Sequence, residues 1–328
     1  MTEPIRHRIA AVNGVELAVL EAGDPAAPPV ILSHGFPESA WSWRHQLPTL
    51  AAAGYHVIAP DQRGYGGSSC PTEVGAYGID ALCDDLLGLV DETGHDQAVF
   101  VGHDWGALIV WDLARLHPER VRAVAGVSVP FTFWPTRPTE LLRAIMGDRF
   151  FYILYFQEVG PAERELEADL RTTLSTILWG GSGEGFAPRE ALPAEGTGFL
   201  TGASAPPALP WPWLSEDDLD HYVDAFARSG FFGPVSYYRN LDANYDRVSP
   251  LSPSRLTMPS CHIAGDRDLV LAMAGDAVPR MVAELPGFRG QTLLPGVGHW
   301  TQQEAPDEFN DALLRMLRDL DPALGSSR

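Results

Sequence analysis

Four short apolar runs within the first 130 residues constrain this chain more than any other feature. They are Val30-Ile31-Leu32, His56-Val57-Ile58-Ala59, Ala98-Val99-Phe100-Val101 and the stretch 123–129. A strand that is apolar at nearly every position must be covered on both faces, which is the situation inside a parallel sheet. Helical stretches over 40–53, 79–93 and 105–116 separate the runs, and such alternation means right-handed βαβ units in an open sheet. Ahead of them, 8–12 and 15–20 flank Asn13-Gly14, a two-residue hairpin signal.

The alternation stops near Pro130. From 136 to 245 the chain is rich in aromatics, proline and helical patterning, with no clear strand. Ser215 is a good N-cap for a helix with Glu216, Asp217 and Asp218 in its first turn. The stretch 187–212 is dense in Pro, Gly and Ala and reads as loop. Strand patterning returns at 260–264 and 291–294, and an amphipathic helix over 306–317 follows. The economical organisation is one α/β core, residues 1–135 and 246–328, interrupted by a helical insertion over 136–245. No internal repeat is apparent.

Composition removes several function classes. Acids outnumber bases 43 to 23, a formal charge of −20, which disfavours nucleic acid and anionic lipid as partners. The chain has no lysine, so a lysine Schiff base, to a carbonyl substrate or to pyridoxal phosphate, is excluded. The all-arginine bias points to a GC-rich coding genome and a bacterial source. Cys70, Cys83 and Cys261 are scattered, with no CxxC pair and no metal spacing, and the Asp-based chemistry argued below needs neither a metal nor an organic cofactor. Residues 1–10 lack a hydrophobic signal, and no apolar run reaches the roughly 18 residues needed to span a bilayer. The expectation is a soluble cytoplasmic protein, monomer or homodimer.

The chemistry concentrates in Ala98-Val99-Phe100-Val101-Gly102-His103-Asp104-Trp105-Gly106-Ala107-Leu108-Ile109. A buried strand runs into a Gly-x-Asp-x-Gly turn and a helix follows at once, the pattern of a nucleophile elbow. Glycines two before and two after Asp104 are required because side chains there would clash. An Asp capping a helix after a strand fits the same residues. No G-x-S-x-G occurs: Gly126-Val127-Ser128-Val129-Pro130 and Gly202-Ala203-Ser204-Ala205-Pro206 lack the final glycine. An Asp attacking a carboxylic ester would give a mixed anhydride, whereas attack at an sp³ carbon gives an ester that water can cleave. Epoxides and haloalkanes are the substrate classes that fit.

Such an ester needs a base to activate water and an acid to orient the base, in the chain order nucleophile, acid, histidine. His299 sits at the carboxyl end of the last expected strand. Asp268 follows the strand at 260–264 and is preferred to Asp266, which shapes the turn. An oxyanion hole is expected from the N–H of Trp105, next after the nucleophile, and of Phe36, in the loop Ser33-His34-Gly35-Phe36-Pro37-Glu38 after the third strand. Gly35 lets the backbone approach. His34 and His103 read as loop supports rather than as chemistry.

His34-Gly35-Phe36-Pro37-Glu38, Trp43-Arg44-His45-Gln46, Asp61-Gln62-Arg63-Gly64-Tyr65-Gly66-Gly67-Ser68-Ser69 and Gly102-His103-Asp104-Trp105-Gly106 together resemble soluble epoxide hydrolases. The resemblance extends through 152–163 and Ser236-Tyr237-Tyr238-Arg239-Asn240, and so covers nearly the whole chain apart from 187–212. It implies an α/β-hydrolase core with an inserted helical cap, a small-molecule epoxide as substrate, and two cap tyrosines, Tyr152 and Tyr238, that hold the epoxide oxygen. Chemistry agrees, because a strained ether opened without an acid would release a poor leaving group, and a phenol can supply the proton. Haloalkane dehalogenases resemble this chain in their Asp nucleophile, His and following Trp. They use halide donors instead of phenols, often with Asn where Phe36 stands. A third alternative is a non-catalytic ligand receptor of the same fold, although such proteins usually lose a triad member. The aromatics Trp134, Phe150, Trp179, Trp211, Trp213, Phe231 and Phe232 fit a pocket lining or a packed cap core equally well.

Overall fold

The computed structural model describes residues 4–186 and 198–320. Asn13 and Gly14 both take positive φ, 47° and 73°, as a type I′ turn requires. They close β1 (Arg6–Val12) onto β2 (Val15–Ala22), with Val12 opposite Val15. The other strands are β3 (Pro29–Ser33), β4 (His56–Pro60), β5 (Ala98–His103), β6 (Val121–Val127), β7 (Ser260–Gly265) and β8 (Phe288–Leu294). Among the described residues they form one sheet in the order β1-β2-β4-β3-β5-β6-β7-β8. β1, β2 and β4 pair antiparallel in turn, and every pairing from β4 to β8 is parallel.

The apolar runs are explained by burial on both sides. Ile31, Ile58 and Phe100 join one hydrophobic cluster, while their neighbours Val30, Leu32, Val57, Ala59, Val99 and Val101 join the other. Each fully buried Val, Leu, Ile or Phe among them stabilises the fold by about 1.5–3 kcal/mol. Helices α1 (Gln46–Ala52), α2 (Ile79–Glu92) and α3 (Trp105–Leu116) connect the first strands. α2 and α3 cover one face, and α1 covers the other. The single helix expected over 40–53 is instead a 3-10 turn at Ala40–Trp43 followed by α1. Pro48 is the reason: it has no N–H to give to the carbonyl four residues back, so it fits a first helical turn but not a helix already under way.

Between β6 and β7 the described residues form no strand, and their α-helices are α4 (Pro138–Met146), α5 (Tyr152–Tyr155), α6 (Pro161–Leu166), α7 (Leu170–Gly181), α8 (Glu216–Ser229), α9 (Phe232–Arg239) and α10 (Leu241–Val248). Ser215 caps α8 as expected, accepting from the Asp218 N–H while Asp218 accepts from the Ser215 N–H. Part of the proline-rich stretch, 187–197, lies outside the described residues. α11 (Leu269–Met273) and α12 (Ala277–Glu284) separate β7 from β8. α13 (Thr301–Glu304) and α14 (Pro306–Leu320) are the last elements among the described residues, α14 joining α1 on its face of the sheet. No helix among the described residues is long and apolar enough to cross a membrane.

β3 and β5 are neighbours, but the chain leaves β3 toward β4 on one side and returns to β5 on the other. At such a reversal the loops at the carboxyl ends part and leave a crevice. Phe36 follows β3 and Asp104 follows β5, so both lie there.

Candidate active site

Asp104 leaves β5 at φ 51° and ψ −115°, a left-handed conformation that few non-glycine residues adopt and that stores strain. The neighbours on either side allow it. A Cβ on Gly102 would stand 2.1 Å from the Gly106 carbonyl oxygen, and one on Gly106 would stand 2.0 Å from that of Ser33. Asp104 occupies the N-cap position of α3, yet its carboxylate makes no capping bond. It turns into the crevice instead. Oδ1 accepts from the Phe36 N–H at 2.8 Å, and Oδ2 lies 3.4 Å from His299 Nε2.

Gly35 makes the first of these contacts possible, since a Cβ there would fall 2.4 Å from the Asp104 Cβ. Burial disfavours the Asp104 charge. The hydrogen bond and charge of His299, the charge of His103 and the Phe36 N–H nonetheless hold its carboxyl below the ordinary Asp range.

His299 follows β8 and Asp268 follows β7. His299 Nδ1 lies 3.1 Å from each oxygen of Asp268. Asp268 is 2 % exposed and also accepts from the Val270 N–H at the start of α11. Burial pulls the His299 imidazole down, but the charge of Asp268 and the bonds to Asp104 and Asp268 prevail and raise it well above the ordinary histidine value. Asp266 accepts from the Gly296 N–H and so pins the loop after β8 to the loop after β7.

Tyr152 opens α5 and Tyr238 lies in α9, their rings 5.8 Å apart at 76°. Tyr238 packs edge-on against both Phe36 (5.5 Å) and Trp105 (5.0 Å). Burial first, and then the negative charge of Asp104, raise both phenols, so each keeps its proton at neutral pH. The adjacent Tyr237 is different: its hydroxyl donates to the Arg63 carbonyl, which leaves it for structure. The seven residues Phe36, Asp104, Trp105, Tyr152, Tyr238, Asp268 and His299 therefore converge above the carboxyl ends of β3, β5, β7 and β8. Among the described residues no group of His, Cys, Asp or Glu is placed to hold a metal ion.

Beneath this site lies a second layer of buried hydrogen bonds. His103 Nε2 donates to the His299 carbonyl at 2.8 Å, and Nδ1 meets Glu38 Oε2 at 2.6 Å. Ser128, at φ 65°, donates to the same carbonyl. His34 accepts from the Gln62 N–H and lies against the Gly35 carbonyl. The two histidines thus support the loops, as expected. Phe199, from the proline-rich stretch, packs on Tyr152 at 5.5 Å. Phe231 packs on Phe36, whereas Trp179, Trp211 and Trp213 cluster with one another.

The chain resembles known proteins along nearly its whole length. Residues 28–170 match the family model of the alpha/beta hydrolase fold. The chain is 46% identical to Epoxide hydrolase A of Mycobacterium tuberculosis over 96% of its own length and 98% of the relative's. It is 38% identical to Epoxide hydrolase B of the same organism, over 96% and 99%. The crystal structure of Epoxide Hydrolase A from Mycobacterium thermoresistibile superposes with a TM-score of 0.90 at 47% identity, over 96% of this chain and 98% of that one. An epoxide hydrolase from an endophytic Streptomyces superposes at 0.92 with 39% identity, over 97% and 96%. On its sequence, its sheet and these likenesses, the chain belongs to the epoxide hydrolases of the α/β-hydrolase fold.

Proposed function

We propose that the chain converts a small-molecule epoxide to a vicinal diol through a covalent ester on Asp104. The observation that carries this reading is the division of labour between the two Asp104 oxygens: Oδ1 is held by the Phe36 N–H, and Oδ2 is left facing His299. Oδ2 attacks a ring carbon, the C–O bond breaks, and the departing oxygen takes a proton from Tyr152 or Tyr238. His299, oriented by Asp268, then removes a proton from water, which adds to the Asp104 Cγ. The oxyanion at Oδ1 is met by the N–H groups of Phe36 and Trp105. The Cγ–Oδ2 bond breaks, His299 returns the proton to the diol, and the proton left on the Asp104 carboxyl passes to the tyrosinate formed in the first step, which regenerates both groups. No step calls for a metal or an organic cofactor.

In this reading the helices within 136–245 form a cap over the core segments 1–135 and 246–328, and contribute the two phenols. A cytoplasmic location goes with it. Incubation with styrene oxide and with bromoalkanes tests the reaction. Diol formation lost in Asp104→Ala supports it; halide release without diol overturns it in favour of dehalogenation, and tight binding without turnover in favour of a receptor. His299→Gln should trap the ester as an intact-mass increase equal to the epoxide, and no adduct with a good substrate would overturn the two-step scheme.

A further inference from the structure

A line of buried hydrogen bonds runs from the helices after β6 to the loop that carries Phe36, and none of it touches the reacting atoms. Gln303, in α13, is its centre and is fully buried. Its Oε1 accepts from Arg44 Nη1 at 2.6 Å and from the Tyr222 hydroxyl of α8 at 2.9 Å, while its Nε2 donates to Glu38 Oε1 at 2.8 Å. Arg44 is itself held from the far side, its Nε 2.9 Å from Asp218 at the start of α8 and its Nη2 donating to the Trp213 carbonyl. Glu38 also takes Gln302 Nε2 on Oε1, and His103 Nδ1 and the Gly35 N–H on Oε2. Gly35 immediately precedes Phe36.

We propose that Gln303 is a positioning residue that couples the seating of α8 to the aim of the Phe36 N–H. Its amide fits in one orientation only, because a flip would set its NH2 against a guanidinium and its oxygen against a carboxylate. The placement of α8 therefore sets Gln303, Gln303 helps set the Glu38 carboxylate, and Glu38 sets the Gly35-Phe36 backbone.

The inference rests on the Asp104 ester reading and predicts a kinetic asymmetry. In the first step the Phe36 N–H stabilises a carboxylate that is losing its charge, so a misaimed donor does not slow attack. In the second step charge grows on Oδ1, and the same misaim raises the barrier. A defect that merely loosens packing would slow both steps or reduce the active fraction.

The test is single-turnover kinetics with styrene oxide, with the ester followed by intact mass after acid quench, in wild type, Gln303→Leu and Tyr222→Phe. Gln303→Leu should slow ester hydrolysis about tenfold and leave attack within about twofold, so the ester accumulates and KM falls along with kcat. Tyr222→Phe, which removes only the hydroxyl donated from α8, should shift the partition the same way by a smaller factor. If Gln303→Leu does not fold, Tyr222→Phe decides alone. Equal slowing of both steps, or an unaltered partition with normal ester formation, overturns the relay and spares the Asp104 reading. Absence of any ester even in His299→Gln overturns that reading, and the relay with it.

Discussion

The Phe36 N–H donates to Asp104 Oδ1 at 2.8 Å, so one of the two carboxylate oxygens is already engaged before any substrate arrives. In the proposed mechanism the attacking atom is then Oδ2, and the oxygen delivered to the diol is the one that Asp104 supplies. A single turnover in ¹⁸O-water should place the label on Asp104 and leave the diol unlabelled, with label reaching the diol only in later turnovers. Mass spectrometry of the peptide carrying Asp104 reads this directly. Label in the first-turnover diol would mean that water attacks the epoxide itself.

The charges around His299 predict how each state responds to pH. Burial lowers its affinity for a proton, but Asp268 and Asp104 together raise its pKa well above the usual value in the free enzyme. In the proposed mechanism, forming the ester neutralises Asp104, so the His299 pKa falls and the imidazole becomes a free base at lower pH. Ester hydrolysis should lose rate as pH falls, with its acidic limb below the imidazole titration seen by NMR in the free enzyme. Stability moves the other way. A raised histidine pKa contributes fully below its unfolded value, about 6.5, and the contribution is lost as pH climbs through the folded value. Melting temperature should therefore decline in alkali more steeply for wild type than for His299→Gln.

The sequence made the core readable where a residue's type and its burial coincide. The apolar runs of β3 to β6 mark strands covered on both faces, and Asn13-Gly14 marks the hairpin. β8 is visible only in its second half, because it lies at the sheet's edge with Arg289 and Leu293 exposed, and no unbroken apolar run forms. α11 buries none of its residues and leaves no periodic signal. At the site, Asp104, Asp268 and His299 each follow a strand in a recognisable local pattern. Glu38, Gln303 and Ser128 act through partners distant in the chain, 65 residues away for Glu38 and His103, and local sequence carries no trace of such pairings.

Removing one phenol should slow epoxide opening about a hundredfold, and removing both in Tyr152→Phe/Tyr238→Phe considerably more, with ester hydrolysis little changed. The two rings lie 5.8 Å apart, and in the proposed mechanism they share one leaving oxygen, so either can partly replace the other. Their pKa values are raised by burial and by Asp104. Rapid-quench rates of ester formation should accordingly stay flat up to about pH 10, the ordinary tyrosine value. A basic limb at or below that pH would show a phenol titrating more easily than its surroundings imply.

Arg63 and Asp85 offer a test of stability apart from catalysis. Their side chains are 6% and 5% exposed, and Arg63 Nε and Nη2 reach the two Asp85 oxygens at 2.6 Å each. Arg63 also donates to the Ala76 carbonyl, and its own carbonyl receives the Tyr237 hydroxyl, so the pair anchors the segment on which α9 rests. Burial pushes the Asp85 carboxyl up more than Arg63 and Asn13 pull it down. Arg63→Met alone should destabilise the fold by about 3–5 kcal/mol, because it leaves that carboxylate buried without its partner. Arg63→Met/Asp85→Leu should cost less than the sum of the single changes, since the second substitution removes the stranded charge. Urea denaturation of the four members of the cycle measures this, and strictly additive losses would show that the two charges do not depend on each other.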